Sequence, residues 1–108
     1  QSLTKRVFNN QKEKIKLADE LFYDIKSNKI LSGSQTISIP KKEARILRHL
    51  IKNRGQIVTS QMIFEHAWDY DEEPSEESLR THIKNLRKLI GKDLIQTARG
   101  QGYLLVTS

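Results

Sequence analysis

Residues 75–90 have the sequence SEESLRTHIKNLRKLI, and residues 94–106 follow as LIQTARGQGYLLV. In the first stretch, four apolar residues recur at offsets of 4, 3 and 4, which places them on one stripe of an α-helix. They are Leu79, Ile83, Leu86 and Ile90. The second stretch contains two β-prone runs around Arg99-Gly100-Gln101-Gly102, where glycine permits a positive φ. The two stretches predict an amphipathic helix followed by a β-hairpin.

The helix face opposite the apolar stripe is basic and rich in hydrogen-bond donors. Thr81, Lys84, Asn85 and Lys88 lie roughly opposite the stripe, with Arg80 and Arg87 on one flank and His82 on the other. Such a face fits the major groove of B-DNA, which is about 12 Å wide, while cationic side chains on the flanks reach the phosphates. The alternative is a solvated charged face on a helix that packs on a core.

Composition limits the classes of protein. The chain has 108 residues of which 36% are hydrophobic, which suffices for one modest core. Its formal net charge of +6 favours nucleic acid or another polyanion as a partner. We expect a cytoplasmic protein without membrane association, because the sequence shows neither a long apolar run nor a signal peptide. We expect no metal or other cofactor, because the chain lacks cysteine and its histidines are widely spaced.

The first third of the chain is predicted to hold a tail and a small sheet. Residues 1–14 are polar and aperiodic, which indicates a linker or tail, and residues 15–108 are expected to form the folded domain. Between Ile15 and Ile39, short runs of alternating polarity are separated by turn residues, which predicts an antiparallel four-stranded sheet; its second apolar run includes Ile25. Each strand has one apolar face, and we expect the helices that follow to cover it.

Three helices are predicted after the sheet. The first covers residues 40–53, with Gly55 as a left-handed cap just past its end. The second begins after the N-cap Thr59 and ends near Trp68, and residues 57–58 before it are interpreted as a short apolar link. The third is capped by Ser75 and ends at Gly91.

Together these segments resemble the winged-helix effector domain of OmpR/PhoB-type response regulators, which are bacterial two-component transcription factors. The resemblance covers about residues 15–106 and rests on the segments KKEARILRHLI (41–51), NRGQIVT (53–59), Ala67-Trp68, LRTHIKNLRKL (79–89) and IQTARGQGYLL (95–105). It implies an α+β winged helix-turn-helix with an N-terminal four-stranded sheet, three helices and a C-terminal hairpin as the wing.

The resemblance also implies a function, which is sequence-specific binding of double-stranded DNA to regulate transcription. Helix three would enter the major groove, with Asn85 at the base edges, and the wing would touch the DNA backbone or the minor groove. Together with the basic helix face, the expected DNA-binding residues are Arg80, Thr81, His82, Lys84, Asn85, Arg87, Lys88, Thr97, Arg99 and Tyr103. The implied partners are an N-terminal receiver domain, a second copy on tandem half-sites, and RNA polymerase.

The loop at residues 69–74, DYDEEP, opposes the positive charge of the rest of the chain. By composition it is a solvated acidic turn. The resemblance implies instead that it contacts RNA polymerase through Asp69, Tyr70, Asp71, Glu72 and Glu73.

Two positions depart from the family pattern. Asn85 stands where some members have arginine, so the target sequence is not carried over. Pro40 stands where a hydroxyl N-cap is usual, which excludes a capping box with Glu43 and leaves that carboxylate a role toward the helix dipole or in an ion pair, with Arg87 as a candidate partner. The alternative for Arg87 is packing of its stem with a carboxylate partner, and for Tyr103 it is a place in the core.

Other functions remain open at this point. A winged-helix module can dock an acidic protein instead of DNA, and a regulator of this kind can work without phosphorylation. An enzyme is not expected, because the loop carboxylates have no accompanying nucleophile and base, metal ligands or phosphate-binding loop.

Overall fold

The N-terminal part of the chain is an antiparallel sheet. The computed structural model describes residues 14–106, which divide into two compact units between Ile39 and Pro40. Of the expected tail at residues 1–14, residues 1–13 lie outside the described residues, and Lys14 begins the first strand. The strands of the first unit are β1 (Lys14–Ala18), β2 (Leu21–Asp24), β3 (Lys29–Ser32) and β4 (Gln35–Ser38). They pair in the order β1-β2-β3-β4, so the predicted meander is confirmed.

The register of this sheet aligns the apolar residues of neighbouring strands. Ile15 pairs with Tyr23, Tyr23 with Ile30, and Ile30 with Ile37. Tyr23 and Ile30 are fully buried. Ile25 was expected in the second strand, but it lies after the end of β2 and is 37% exposed. The strand stops because the Asp24 carboxylate accepts the N–H of Lys26 and begins a turn.

The second unit combines three helices with a small sheet. Its elements in chain order are α1 (Lys41–Lys52), β5 (Ile57–Thr59), α2 (Ser60–Ala67), α3 (Glu76–Ile90), β6 (Ile95–Ala98) and β7 (Gly102–Leu105). Helix α1 contacts both α2 and α3. The predicted helices, their order and the C-terminal hairpin are therefore confirmed. No helix within residues 14–106 is long and apolar enough to cross a membrane.

The chain between α1 and α2 differs from the prediction at two points. Gly55 does not cap α1, because the helix ends at Lys52 and Asn53 takes the cap position. Gly55 has φ 84° and its N–H donates to the carbonyl oxygen of Leu105 at 2.9 Å, so it turns the chain toward the C-terminal strands. The predicted apolar link is strand β5, which pairs with β7 and completes a sheet of order β5-β7-β6. Periodicity does not detect a strand of three residues.

Candidate nucleic-acid interface

Helix α3 presents the predicted basic face. Its N-terminus is capped by Ser75, whose Oγ accepts the N–H of Ser78 at 3.1 Å, and it ends at Gly91 with φ 101°. The apolar stripe is buried as predicted: Leu79, Ile83, Leu86 and Ile90 are at most 5% exposed. The side chains that remain exposed on the other side are Arg80, Thr81, Lys84 and Lys88. Three of the four residues predicted opposite the stripe are therefore exposed, whereas the fourth, Asn85, is half-buried.

Two predicted DNA-binding residues face α1 instead of standing free on α3. The buried Glu43 carboxylate accepts a hydrogen bond from Asn85 Nδ2 at 3.0 Å, and its Oε2 lies 2.8 Å from His82 Nδ1. Because an ionised carboxylate only accepts, the proton between Oε2 and Nδ1 belongs to the imidazole. The His82 ring also packs edge-on against Trp68, with 5.6 Å between centroids. Both side chains are half-buried and held in place.

The charge on Glu43 is maintained by its partners. Burial raises the pKa of Glu43, but the hydrogen bonds from His82 and Asn85 outweigh burial and hold the pKa below its usual value. The candidate partner from the sequence, Arg87, does not contact Glu43, so that prediction is wrong. Arg87 does not contact Glu43 because it lies on the side of α3 that faces β6.

Arg87 connects α3 to the hairpin. Its Nε and Nη2 donate to the carbonyl oxygen of Ile95 at 3.0 and 2.9 Å, and Nη2 also donates to Thr97 Oγ1 at 2.9 Å. The alternative of a carboxylate partner for Arg87 is thus replaced by a backbone carbonyl and a hydroxyl. The planar guanidinium, with several donors in fixed directions, suits such a junction. Arg87 and Thr97, both predicted to touch DNA, bind each other.

The hairpin tip is formed by residues 99–101. Gln101 N–H donates to the carbonyl oxygen of Ala98 at 2.8 Å, and Gly100 has φ 73°, so glycine fits the turn. Arg99 is exposed at this tip. A Cβ at Gly102 would lie 2.0 Å from the Val58 carbonyl oxygen, so the close approach of β5 to β7 requires glycine there.

Tyr103 is a core residue of the hairpin base. It is 7% exposed and pairs with Val58 on one side and Thr97 on the other. Burial, followed by the nearby charge of Glu76, raises the pKa of Tyr103 above its ordinary value. The ring borders a cleft of about 430 Å³ between the hairpin and the N-terminal ends of α2 and α3, together with Arg80 and Glu76. The alternative for Tyr103, a place in the core, is therefore correct for its ring.

The acidic loop is fastened to α1 by two of its carboxylates. Arg45 Nη1 donates to Asp69 Oδ1 at 2.8 Å, and Lys42 Nζ binds Glu72 Oε1 at 2.5 Å. The hydrogen bond and charge of Arg45 lower the pKa of Asp69; the Asp69 N–H and then Lys42 lower the pKa of Glu72. Tyr70 is fully exposed.

The remaining loop carboxylates, Asp71 and Glu73, are exposed as well. The loop thus combines two anchors with an exposed acidic and aromatic tip.

Three residues that build this region were missed or misjudged from the sequence. Lys42 and Arg45 carry no sequence signal for their loop contacts, because Glu72 and Asp69 lie 30 and 24 positions away. For Glu43 the sequence suggests Arg87 as a partner, whereas its partners in the structure are His82 and Asn85. Among residues 14–106, no group of three or more histidines and carboxylates is placed to hold a metal ion.

Comparison with known proteins identifies the family. A family described as "Transcriptional regulatory protein, C terminal" matches residues 34–105. The chain belongs to this family. The transcriptional regulatory protein PmrA of Pectobacterium parmentieri is 34% identical over 104 residues, which are 96% of this chain and 46% of that protein. BasR of Escherichia coli (strain K12), also a transcriptional regulatory protein, is 32% identical over 103 residues, covering 95% of this chain and 46% of its own length.

The fold agrees with the family assignment. The response regulator DrrB of Thermotoga maritima, described as an OmpR/PhoB homolog, matches with a TM-score of 0.76 and 29% identity, covering 96% of this chain and 49% of that one. The predicted OmpR/PhoB resemblance and winged-helix fold are thus confirmed. The chain spans less than half the length of these two curated regulatory proteins.

Proposed function

We propose that this transcriptional regulatory domain binds duplex DNA sequence-specifically, with α3 in the major groove and the β6–β7 hairpin in the minor groove. The observation that carries the proposal is the junction made by Arg87. One side chain holds the basic helix and the hairpin at a fixed separation through Ile95 and Thr97. A helix and a wing in fixed geometry suit simultaneous contact with two neighbouring grooves.

The predicted DNA-binding residues divide by their surroundings into two groups. Arg80, Lys84 and Lys88 are exposed cations, so we assign them to phosphates, and exposed Arg99 at the hairpin tip suits the negative potential of a narrow minor groove. Thr81 is exposed on the same helix face and is assigned to the DNA surface, although its Oγ1 also donates to the Glu77 carbonyl oxygen.

The second group is partly occupied by protein contacts. Asn85 donates one Nδ2 hydrogen to Glu43, which leaves its Oδ1 and second N–H for an adenine edge. We assign His82 the same surface through its other ring nitrogen. Arg87 and Thr97 contribute to binding by positioning the wing, and Tyr103 contributes through its hydroxyl at the cleft.

The test is the salt dependence of binding to a duplex that contains the preferred site. We expect the affinity to fall steeply with salt, and Lys84→Ala and Lys88→Ala each to lower the slope of log K against log[salt] by about one. Lys29→Ala, an exposed lysine of β3, is the matched control. Binding that ignores salt, or equal slopes in all four proteins, would contradict DNA binding through α3 and favour a protein partner.

A second test separates specificity from affinity. Asn85→Ala should cost about 1–3 kcal/mol on the preferred site and relax the preference at one base pair, with little change on random DNA. An equal loss on both duplexes would make Asn85 a backbone contact.

We further propose that the full-length protein carries a receiver domain before this one and binds tandem half-sites as a homodimer in the bacterial cytoplasm. The support is the length of the curated relatives and the predicted tail at residues 1–14. Half-sites one helical turn apart present two recognition helices on one DNA face. Inserting about five base pairs between them should abolish cooperative occupancy, and retained cooperativity would contradict the tandem arrangement. Phosphorylation of the receiver is tested by the same assay with and without a phosphodonor.

The acidic loop is proposed as a contact for RNA polymerase. Asp69 and Glu72 hold the loop on α1, so we assign the contact itself to Tyr70, Asp71 and Glu73 at the tip. The double variant Asp71→Asn, Glu73→Gln should reduce promoter output at equal DNA occupancy. Glu65→Gln, an exposed carboxylate of α2, is the control. Unchanged output would make the loop a solvated acidic turn.

A further inference from the structure

A basic pocket lies between α1 and α2, apart from the residues assigned to DNA. Its volume is about 220 Å³, and it is lined by Arg45, Arg48, His49, Lys52 and His66, which we call the histidine pocket. Among residues 14–106, no carboxylate belongs to this lining. Since a water molecule takes about 30 Å³ of liquid, the volume suits a small polyatomic ion with part of its hydration shell.

The two histidines of the pocket lie against each other. Their ring centroids are 4.0 Å apart with an interplanar angle of 21°. His49 is buried, with an exposed fraction of 8%. Its Nε2 has no hydrogen-bond partner within the described part of the chain. A buried imidazole nitrogen without a partner is rare in proteins and calls for a specific explanation.

The position of the pocket on α1 separates it from α3. Counting about 100° per residue from Glu43, which binds α3, the four α1 residues of the pocket fall between about 140° and 240°. They therefore occupy the side of α1 opposite Glu43. Arg45 also reaches the acidic loop, because its Nη1 donates to Ala67 and Asp69, and its remaining N–H groups face other directions.

The electrostatics of the pocket favour an anion. The lining brings Arg45, Arg48 and Lys52 together. Burial, and after it the neighbouring charges of His66 and Lys52, lower the pKa of His49. A negative ligand would offset the neighbouring positive charges and accept a hydrogen bond from the exposed His66 ring. Arginine and lysine are the side chains that bind oxyanions by charge-assisted hydrogen bonds.

We propose that the histidine pocket binds a free phosphate-type oxyanion, with Arg45 and Lys52 supplying charge and the exposed His66 ring, stacked on His49, supplying an N–H donor. A bound anion would share Arg45 with Asp69, so its occupancy acts on the anchor of the acidic loop. This proposal does not depend on DNA binding by α3, because no residue of the pocket belongs to the DNA-binding set.

The test is a titration of the 108-residue chain with inorganic phosphate at constant ionic strength, followed by NMR of the histidine ring protons. We expect saturable shifts at His49 and His66. His82 is the internal control, since it binds Glu43 on the other side of α1. Small, linear or equal shifts at all three histidines would overturn the proposal.

Two variants and a second ligand sharpen the result. Lys52→Gln removes an exposed charge and should weaken phosphate about twofold to fivefold, whereas Lys92→Gln after the end of α3 should not. Equal phosphate affinity of these two variants would overturn the proposal. A duplex is titrated separately in phosphate-free buffer. Unchanged ring-proton chemical shifts of His49 and His66 would support a free anion. Shifts that change with the duplex would assign the pocket to DNA and overturn the proposal.

Discussion

Replacing Glu43 with glutamine tests the contact that holds α3 on α1. The Glu43 side chain is 4% exposed and its His82 partner 23% exposed, so both hydrogen bonds form largely away from water. A hydrogen bond to a charged group contributes about 1.5–3 kcal/mol and a neutral one about 0.5–1.5 kcal/mol. Neutralising the shared acceptor of two such bonds should therefore cost about 2 kcal/mol.

The assay is urea denaturation followed by circular dichroism. With an m-value of about 2 kcal/mol per molar for a domain of this size, a loss of about 2 kcal/mol moves the midpoint down by about 1 M. Glu73→Gln, which neutralises an exposed loop carboxylate, should leave the midpoint in place. Equal midpoints for the two variants would refute the assignment of Glu43 as the acceptor that fastens α3.

The pH dependence gives an independent check with a defined sign. Because the pKa of Glu43 is lower in the folded protein than its ordinary value of 4.5, its contribution is fully present above that value. The contribution is lost as the pH falls through the folded pKa. The stability difference between wild type and Glu43→Gln should thus be larger at about pH 5 than at about pH 3. A difference that does not change over this range would contradict an ionised Glu43.

Three further substitutions test the wing and a helix cap. Gly102→Ala should cost more than about 2 kcal/mol and weaken the β5–β7 pairing, because the new methyl group would collide with Val58; amide exchange at the hairpin measures this, and normal protection would contradict it. Arg87→Gln should cost about 1–3 kcal/mol and loosen the hairpin by removing the bonds to Ile95, whereas unaltered hairpin exchange would rule out that role. Thr59→Ala should lower the free energy of unfolding by about 1 kcal/mol through loss of the α2 cap. Urea denaturation measures this, and an unchanged midpoint would show that the cap does not stabilise the domain.

The parts of the fold that followed from the sequence are those set by local periodicity and capping. The stripe that ends at Ile90, the caps Thr59 and Ser75, and the stop at Gly91 were all assigned correctly because each depends on residues within a few positions. Strand β5 has no such local signal, since its pairing partner lies in β7 and three residues show no period.

The candidate site was less predictable because its geometry depends on side chains that are distant in sequence. A helical wheel placed Asn85 on the solvent side, but packing of α3 on α1 brings it to Glu43, 42 positions earlier. The same holds for Arg87, where the choice between a carboxylate and the Ile95 carbonyl depends on where β6 returns. Charge patterns identify which face is polar, and tertiary packing decides which polar groups are already occupied.

The pairing of β5 with β7 also determines the order in which the domain assembles. Val58 meets Tyr103 only about 45 positions later in the chain, so this sheet closes through contacts of long sequence separation, which form slowly. During synthesis the three helices leave the ribosome before the last strand does. Helix α3 can therefore pack onto α1 through Glu43 before the β6–β7 hairpin has formed. A chain that stops before Gly102 would keep the helices' local signals but leave the edge of β5 unpaired, a species open to strand addition from another chain.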